Sequence, residues 1–351
     1  MAESTDRLPS ASNRSPWPHR WAVALAAITF PLIWVGGLVT TQDAGMAVPD
    51  WPGTFGYNLF AYPLESWWSG PWDLFIEHGH RLLGALAGFV AILLVIATWR
   101  SESRRSVRLM ALGALVLVIL QGTLGGVRVL AADREIAKLH GCVGPAFFAL
   151  VVAIATMTGR AWAEPARRSV RTSDWVWSLL FLIAVYVQLV LGANLRHIAV
   201  EAAPSVFRSI VLFHLGTAAI VAIIGVQMML LTFDYRLGTT RRLPWRIGAL
   251  IVVQLALGAG TWLVKYGLFE PLDSWAWFAN WVVPAKGMLQ ANVVTLHVAV
   301  GSALIAMGAN QTLRIGRETL FAAAETTTTP AATASSVPAD RADQRMSGAA
   351  V

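Results

Sequence analysis

Five consecutive residues, Glu77-His78-Gly79-His80-Arg81, bring a carboxylate, two imidazoles and a guanidinium to the start of a long apolar run that ends near Trp99. Charged groups are costly inside a bilayer unless they are paired or used. On a helix Glu77, His80 and Arg81 stand at i, i+3 and i+4 and share one face. His78 and His80 are about 200° apart around the same helix, so a given pocket takes only one of them. An imidazole can ligate a metal, and a carboxylate can accept a proton or stabilise a cation. The stretch therefore reads as a ligand, His80, beside a reactive acid, Glu77. The plainer role for Glu77 is a salt bridge to Arg81.

The elements that carry these residues follow from composition. The chain has 351 residues, of which 56% are hydrophobic and only 13% charged, with mean hydropathy +0.57. Apolar stretches of about 20 residues recur along it, the length a bilayer asks of a helix. Eight spans are expected, near Trp21–Thr41, Glu77–Trp99, Leu109–Leu130, Leu139–Met157, Trp175–Leu195, Ser209–Leu231, Ile247–Tyr266 and Ala291–Gln311. The fold class is an all-α integral membrane protein.

The net charge of +7 does not indicate nucleic acid, because the excess sits in short arginine-rich loops. Those around Arg20, Arg100–Arg108, Arg160–Arg171 and Arg236–Arg246 alternate with basic-poor segments; Thr41 to His80 has no Lys or Arg. The positive-inside rule then puts both termini in the cytoplasm. The polar stretch before the first span, with Glu3 and Asp6, does not read as a cleaved signal peptide. A single cysteine, Cys142, excludes an internal disulfide and any Cys-based zinc or iron–sulfur site within one chain.

A repeat divides the spans. Gln188-Leu-Val-Leu-Gly-Ala-Asn-Leu in the fifth matches Gln254-Leu-Ala-Leu-Gly-Ala-Gly-Thr in the seventh, with a looser copy at Gln121–Arg128 and an echo at Trp34–Thr40. Odd spans thus carry glycines, and even spans carry one histidine each: His80, His140, His214 and His297. Two pseudo-symmetric four-helix bundles result, related by an axis along the membrane normal. The expected organisation is a cytoplasmic segment 1–20, a first half 21–158, a linker 159–174, a second half 175–311 and a cytoplasmic tail 312–351, disordered from about 322.

One intramembrane histidine is ordinarily a hydrogen-bonding residue between helices. Four at matched depth, repeated between halves, fit the axial positions of two haem irons, His80 with His140 and His214 with His297. Zinc fits less well, because separated helices bracket a flat macrocycle more readily than a small tetrahedral ion. Gly36, Gly37, Gly122, Gly125, Gly126, Gly192, Gly258 and Gly260 lie near the histidine level, where they allow close packing or leave room for a planar group. Arg81, Arg128, Arg196 and Lys265 near the outer ends could pair with propionates, although Lys265 reads better as snorkelling. His78 and His197 read as loop or interface residues. Asp50, in a turn-like setting, is an acid whose facing the spacing leaves open.

These residues resemble haem A synthase, the membrane oxidase that acts on haem O. The resemblance runs from about Trp21 to Gln311. Its most specific element is Glu77-His78-Gly79-His80-Arg81, supported by Gly45-Met-Ala-Val-Pro-Asp-Trp-Pro, by Gln121, Gly125, Gly126 and Arg128, and by the even-helix histidines. It implies oxidation of a haem O ring methyl to the formyl group of haem A, the cofactor of terminal haem–copper oxidases. It further implies substrate haem in the first half, at His80 and His140, and an electron-relaying haem b in the second, at His214 and His297. Glu77 matches the family's essential carboxylate.

Many members carry a cysteine pair in the first outer loop, and some another in the second half. Both loops lack cysteine here, which leaves them to be held by packing alone. Expected partners are haem O, a haem O synthase that hands it over, and lipid of the cell (inner) membrane, with no nucleic acid. The electron donor and a homo-oligomer are left open. The runner-up is a di-haem b electron carrier that leaves its haems unmodified.

Overall fold

The computed structural model describes residues 15–163, 171–199, 201–231, 242–267 and 287–328. They form α1 (Trp17–Thr41), α2 (Leu64–Trp68), α3 (Trp72–Ser101), α4 (Arg105–Ala131), α5 (Arg134–Thr158), α6 (Arg160–Ala163), α7 (Thr172–Arg196), α8 (Pro204–Leu231), α9 (Arg242–Tyr266) and α10 (Met288–Thr328). Among the described residues there is no strand, only an isolated bridge between Thr54 and Tyr57. Eight of the helices are long and apolar enough to cross a membrane, and the protein is a multi-pass membrane protein.

The helices overrun the expected spans where polar residues continue the backbone hydrogen bonding beyond the apolar core. α3 starts at Trp72 behind Pro71, with Asp73 in its first turn, where an acid suits the helix dipole. Glu77 therefore stands in the second turn, not at the mouth. α10 continues past Gln311 to Thr328, through part of the tail expected to be disordered. There Arg314 Nε donates to Asn310 Oδ1 at 2.6 Å, one turn back, and the following Ala run favours helix. Trp275, Trp277 and Trp281 of the second outer segment lie outside the described residues, as do Arg236 and Arg241.

Helix contacts divide the molecule as the repeat requires. α1, α3, α4 and α5 close one ring, and α7, α8, α9 and α10 close another. The rings meet where α5 packs on α10, flanked by α1 on α10 and α5 on α7. That pattern is unchanged when α1 is exchanged with α7, α3 with α8, α4 with α9 and α5 with α10, as a pseudo-two-fold demands. Each ring has a core of its own, around Leu25, Leu94, Val107 and Ile154 in the first and Phe181, Ile224, Ile247 and Leu304 in the second. Lipid gives helices little hydrophobic reason to associate, so close approach at small residues matters more. Gly308 lies against the Phe181 ring, and Gly37 against Thr295 across the seam between the halves.

Candidate functional site

The four histidines stand about two to three turns inside their helices and meet in the expected pairs. The His80 and His140 ring centroids are 6.4 Å apart with planes at 87°. Those of His214 and His297 are also 6.4 Å apart, at 72°. Two metal–nitrogen bonds of about 2 Å each, plus about 1 Å from each nitrogen to its ring centre, give about 6 Å for imidazoles sharing one metal between them.

Each ring is backed by a glycine one helix away. A Cβ on Gly36 would lie 2.6 Å from His80 Cε1, on Gly125 3.2 Å from His140, on Gly192 3.3 Å from His214 and on Gly258 3.1 Å from His297. So the glycines seat the imidazoles, and the repeat recorded that seating. All four Nδ1 atoms are buried with no close hydrogen bond among the described residues, and each imidazole has a backbone group of the facing helix, at Leu32, Gln121, Gln188 and Gln254, within weak hydrogen-bonding reach. The donors, their spacing and their backing all fit a haem between each pair. Among the described residues no three of His, Cys, Asp or Glu gather as a small-ion site.

Glutamines one turn before three of these glycines went unassigned in the sequence, although the repeat displays them. Gln121 Nε2 donates to the His140 carbonyl at 3.0 Å, and Gln188 Nε2 lies 3.2 Å from His214 Nε2. On α1 the corresponding residue is Leu32.

Glu77 is 2% exposed and makes the expected salt bridge to Arg81, at 2.9 Å. Its other oxygen accepts the Val48 N–H at 2.9 Å, which ties it to the first outer loop. Arg81 does more than pair with Glu77. Nη1 donates to the carbonyls of Asp50 (2.7 Å) and Gly53 (2.8 Å), and Nη2 to that of Val48 (2.7 Å). These four bonds leave Arg81 only Nε–H for a propionate. Arg128 lies against Gly45 with one long bond, 3.5 Å to its carbonyl, so among the described residues most of its donors have no partner. Arg196 reaches the end of α1, where Nη2 donates to Gly37 O and Thr41 Oγ1 at 2.7 Å each.

The cysteine-free loop is thus not held by packing alone, and that expectation is corrected: three carbonyls converge on one guanidinium. His78 adds a fourth anchor. It is buried, with Nδ1 2.9 Å from Thr54 Oγ1 and its ring against Tyr62 and Trp67. Trp51 closes the loop by lying on Gly126. The Asp50 carboxylate turns away from Glu77 and accepts the N–H groups of Phe55 (2.8 Å) and Gly56 (2.9 Å). Burial works to raise its pKa, but those N–H groups and Arg81 outweigh it and hold the acid below its ordinary value. His197, just past α7, is pushed down to about 4 by burial and by Arg196, Arg128, Lys138 and Lys265, so it is neutral at pH 7.

Replacing Arg81 with alanine should free the loop. Amide exchange at residues 45–57 is expected to rise at least about tenfold, because charge-assisted hydrogen bonds are the stronger class. Exchange unchanged there would mean that Trp51 and His78 suffice.

Residues 71–211, which contain Glu77, Arg81 and two of the four histidines, His80 and His140, match the family model COX15-CtaA, described as cytochrome oxidase assembly protein. A curated relative named heme A synthase, from Symbiobacterium thermophilum, is 32% identical over 195 residues, 51% of this chain and 58% of that protein. Over these residues the chain is similar to proteins named heme A synthase. A Halalkalibacterium halodurans protein of the same name is 32% identical over 125 residues, 35% of this chain and 40% of that protein. One from Caulobacter sp. is 29% identical over 220 residues, 52% of this chain and 61% of that protein. The chain thus spans about half the length of the curated relatives it matches. The matched range takes in His80, His140 and Glu77 of this chain.

Proposed function

We propose that this chain is a haem A synthase, taking haem O as substrate and oxidising one ring methyl to the formyl group of haem A. The observation that carries the reading is a break in the internal repeat. Both halves present a histidine pair of the same spacing, but Glu77 and Arg81 correspond to Val211 and Leu215 beside His214. One pair therefore has a buried carboxylate one turn away on its own helix, while the matching positions of its twin hold apolar side chains. That division suits one half that does chemistry and one that relays electrons.

His80 and His140 would hold the substrate haem, and His214 and His297 a haem b. When bound, the irons supply the redox chemistry. The chain's own groups do the rest. Glu77, fixed by the Val48 N–H and by Arg81, is placed to stabilise positive charge developing at the methyl, or to take its proton. The loop 45–53, drawn down by Arg81, excludes water from that carboxylate. Arg128, most of whose donors have no partner among the described residues, would take a propionate. Both termini would face the cytoplasm, with the haem sites toward the outer face.

Pigment extraction from cells that make haem O and express the chain tests this reading, with haem A expected to appear. Bound haem without any haem A would instead identify an electron-transfer cytochrome. His214→Met should alter the haem b spectrum while leaving the substrate-site spectrum in place, and an unaltered spectrum would refute the second pairing.

A further inference from the structure

We propose that Arg196 is a positioning residue that fixes one histidine pair relative to the other, by fastening α7 of the second half to the glycine pair of α1 in the first. The inference rests on the functional reading above only for what the two pairs hold. Arg196 Nη2 donates to both Gly37 O and Thr41 Oγ1 at 2.7 Å. Thr41 Oγ1 itself donates to Gly37 O at 2.9 Å, which closes the three groups into a ring. The last turn of α1 contains no basic residue, although its carbonyl end carries partial negative charge. Arg196 supplies that cation from the other half, and no carboxylate pairs with it among the described residues.

Its position gives the joint leverage over both sites. Arg196 follows by one turn Gly192, which backs His214, and it grips Gly37, the neighbour of Gly36, which backs His80. Gly37 also meets Thr295 of α10, two residues before His297. Movement of α7 or α10 therefore reaches the His80 seat through one residue pair. A residue serving only as a propionate partner in the second half would act on the His214 site alone.

The test uses purified holoprotein carrying Arg196→Ala, Arg196→Lys or Thr41→Val, with the two low-spin haem signals assigned by comparison with His214→Met. Arg196→Ala is expected to shift the His80/His140 signal and to raise amide exchange at residues 38–42 at least about tenfold. Arg196→Lys, which keeps the charge, should restore most of both, and Thr41→Val should move both in the same direction by less. A change confined to the His214/His297 signal, or unaltered exchange at the end of α1, overturns the proposal. If Arg196→Ala does not accumulate, Thr41→Val decides by the same two readouts. Wild-type protein without haem would remove the functional reading, while the exchange measurement would still decide whether Arg196 holds the joint.

Discussion

Replacing Glu77 with glutamine is expected to leave both haems bound while haem A formation falls by about a hundredfold or more, the range carried by a positioned acid or base. Glutamine keeps the shape and one acceptor for the Val48 N–H, but its amide group replaces the oxygen that accepts from Arg81, which then keeps its three carbonyl bonds to the loop. Alanine should stop product as fully but also destabilise the protein. It strips the carboxylate from Arg81, whose side chain is only 10% exposed, and an uncompensated buried charge costs roughly 3–5 kcal/mol. Measuring haem content and haem A yield on both variants separates chemistry from folding. Normal yield in Glu77→Gln would take the carboxylate out of the reaction and leave it as the latch of the loop.

Gly36→Ala carries the second large effect. Its new Cβ would lie 2.6 Å from His80 Cε1, so the imidazole or α1 must move. Displacing a ligand's support typically costs about 10–100-fold in affinity for the bound metal. Haem retained at His80 and His140 should fall by that factor, while the His214/His297 spectrum stays. The matching change Gly125→Ala, with 3.2 Å to His140, should cost less. Equal losses at both sites would show that α1 acts on the whole molecule and not on one imidazole.

The histidine seats were legible because helical periodicity and bilayer depth constrain them together. Four imidazoles on alternate spans, with glycines on the others, leave few ways to pack, and the fold pairs them as expected. What escaped was non-local or backbone-directed. Arg81 was read from its charge, yet three of its bonds go to carbonyls some thirty residues earlier, and carbonyls leave no mark in side-chain patterns. The charge of Arg196 marks it as a candidate for an anion, but nothing in the pattern shows that its Nη2 bonds cross from one half to the other. His78 sits two residues from His80 and on the opposite side of α3, where it anchors the loop to Thr54. The length of α10 escaped because hydropathy marks where apolar residues stop, not where hydrogen bonding does.

Haem stoichiometry and ligation in the purified protein test the central claim most directly. Two low-spin haems per chain with paired imidazole ligands are expected, one signal vanishing in His140→Ala and the other in His297→Ala. A single haem untouched by either change, or no haem at all, would contradict it.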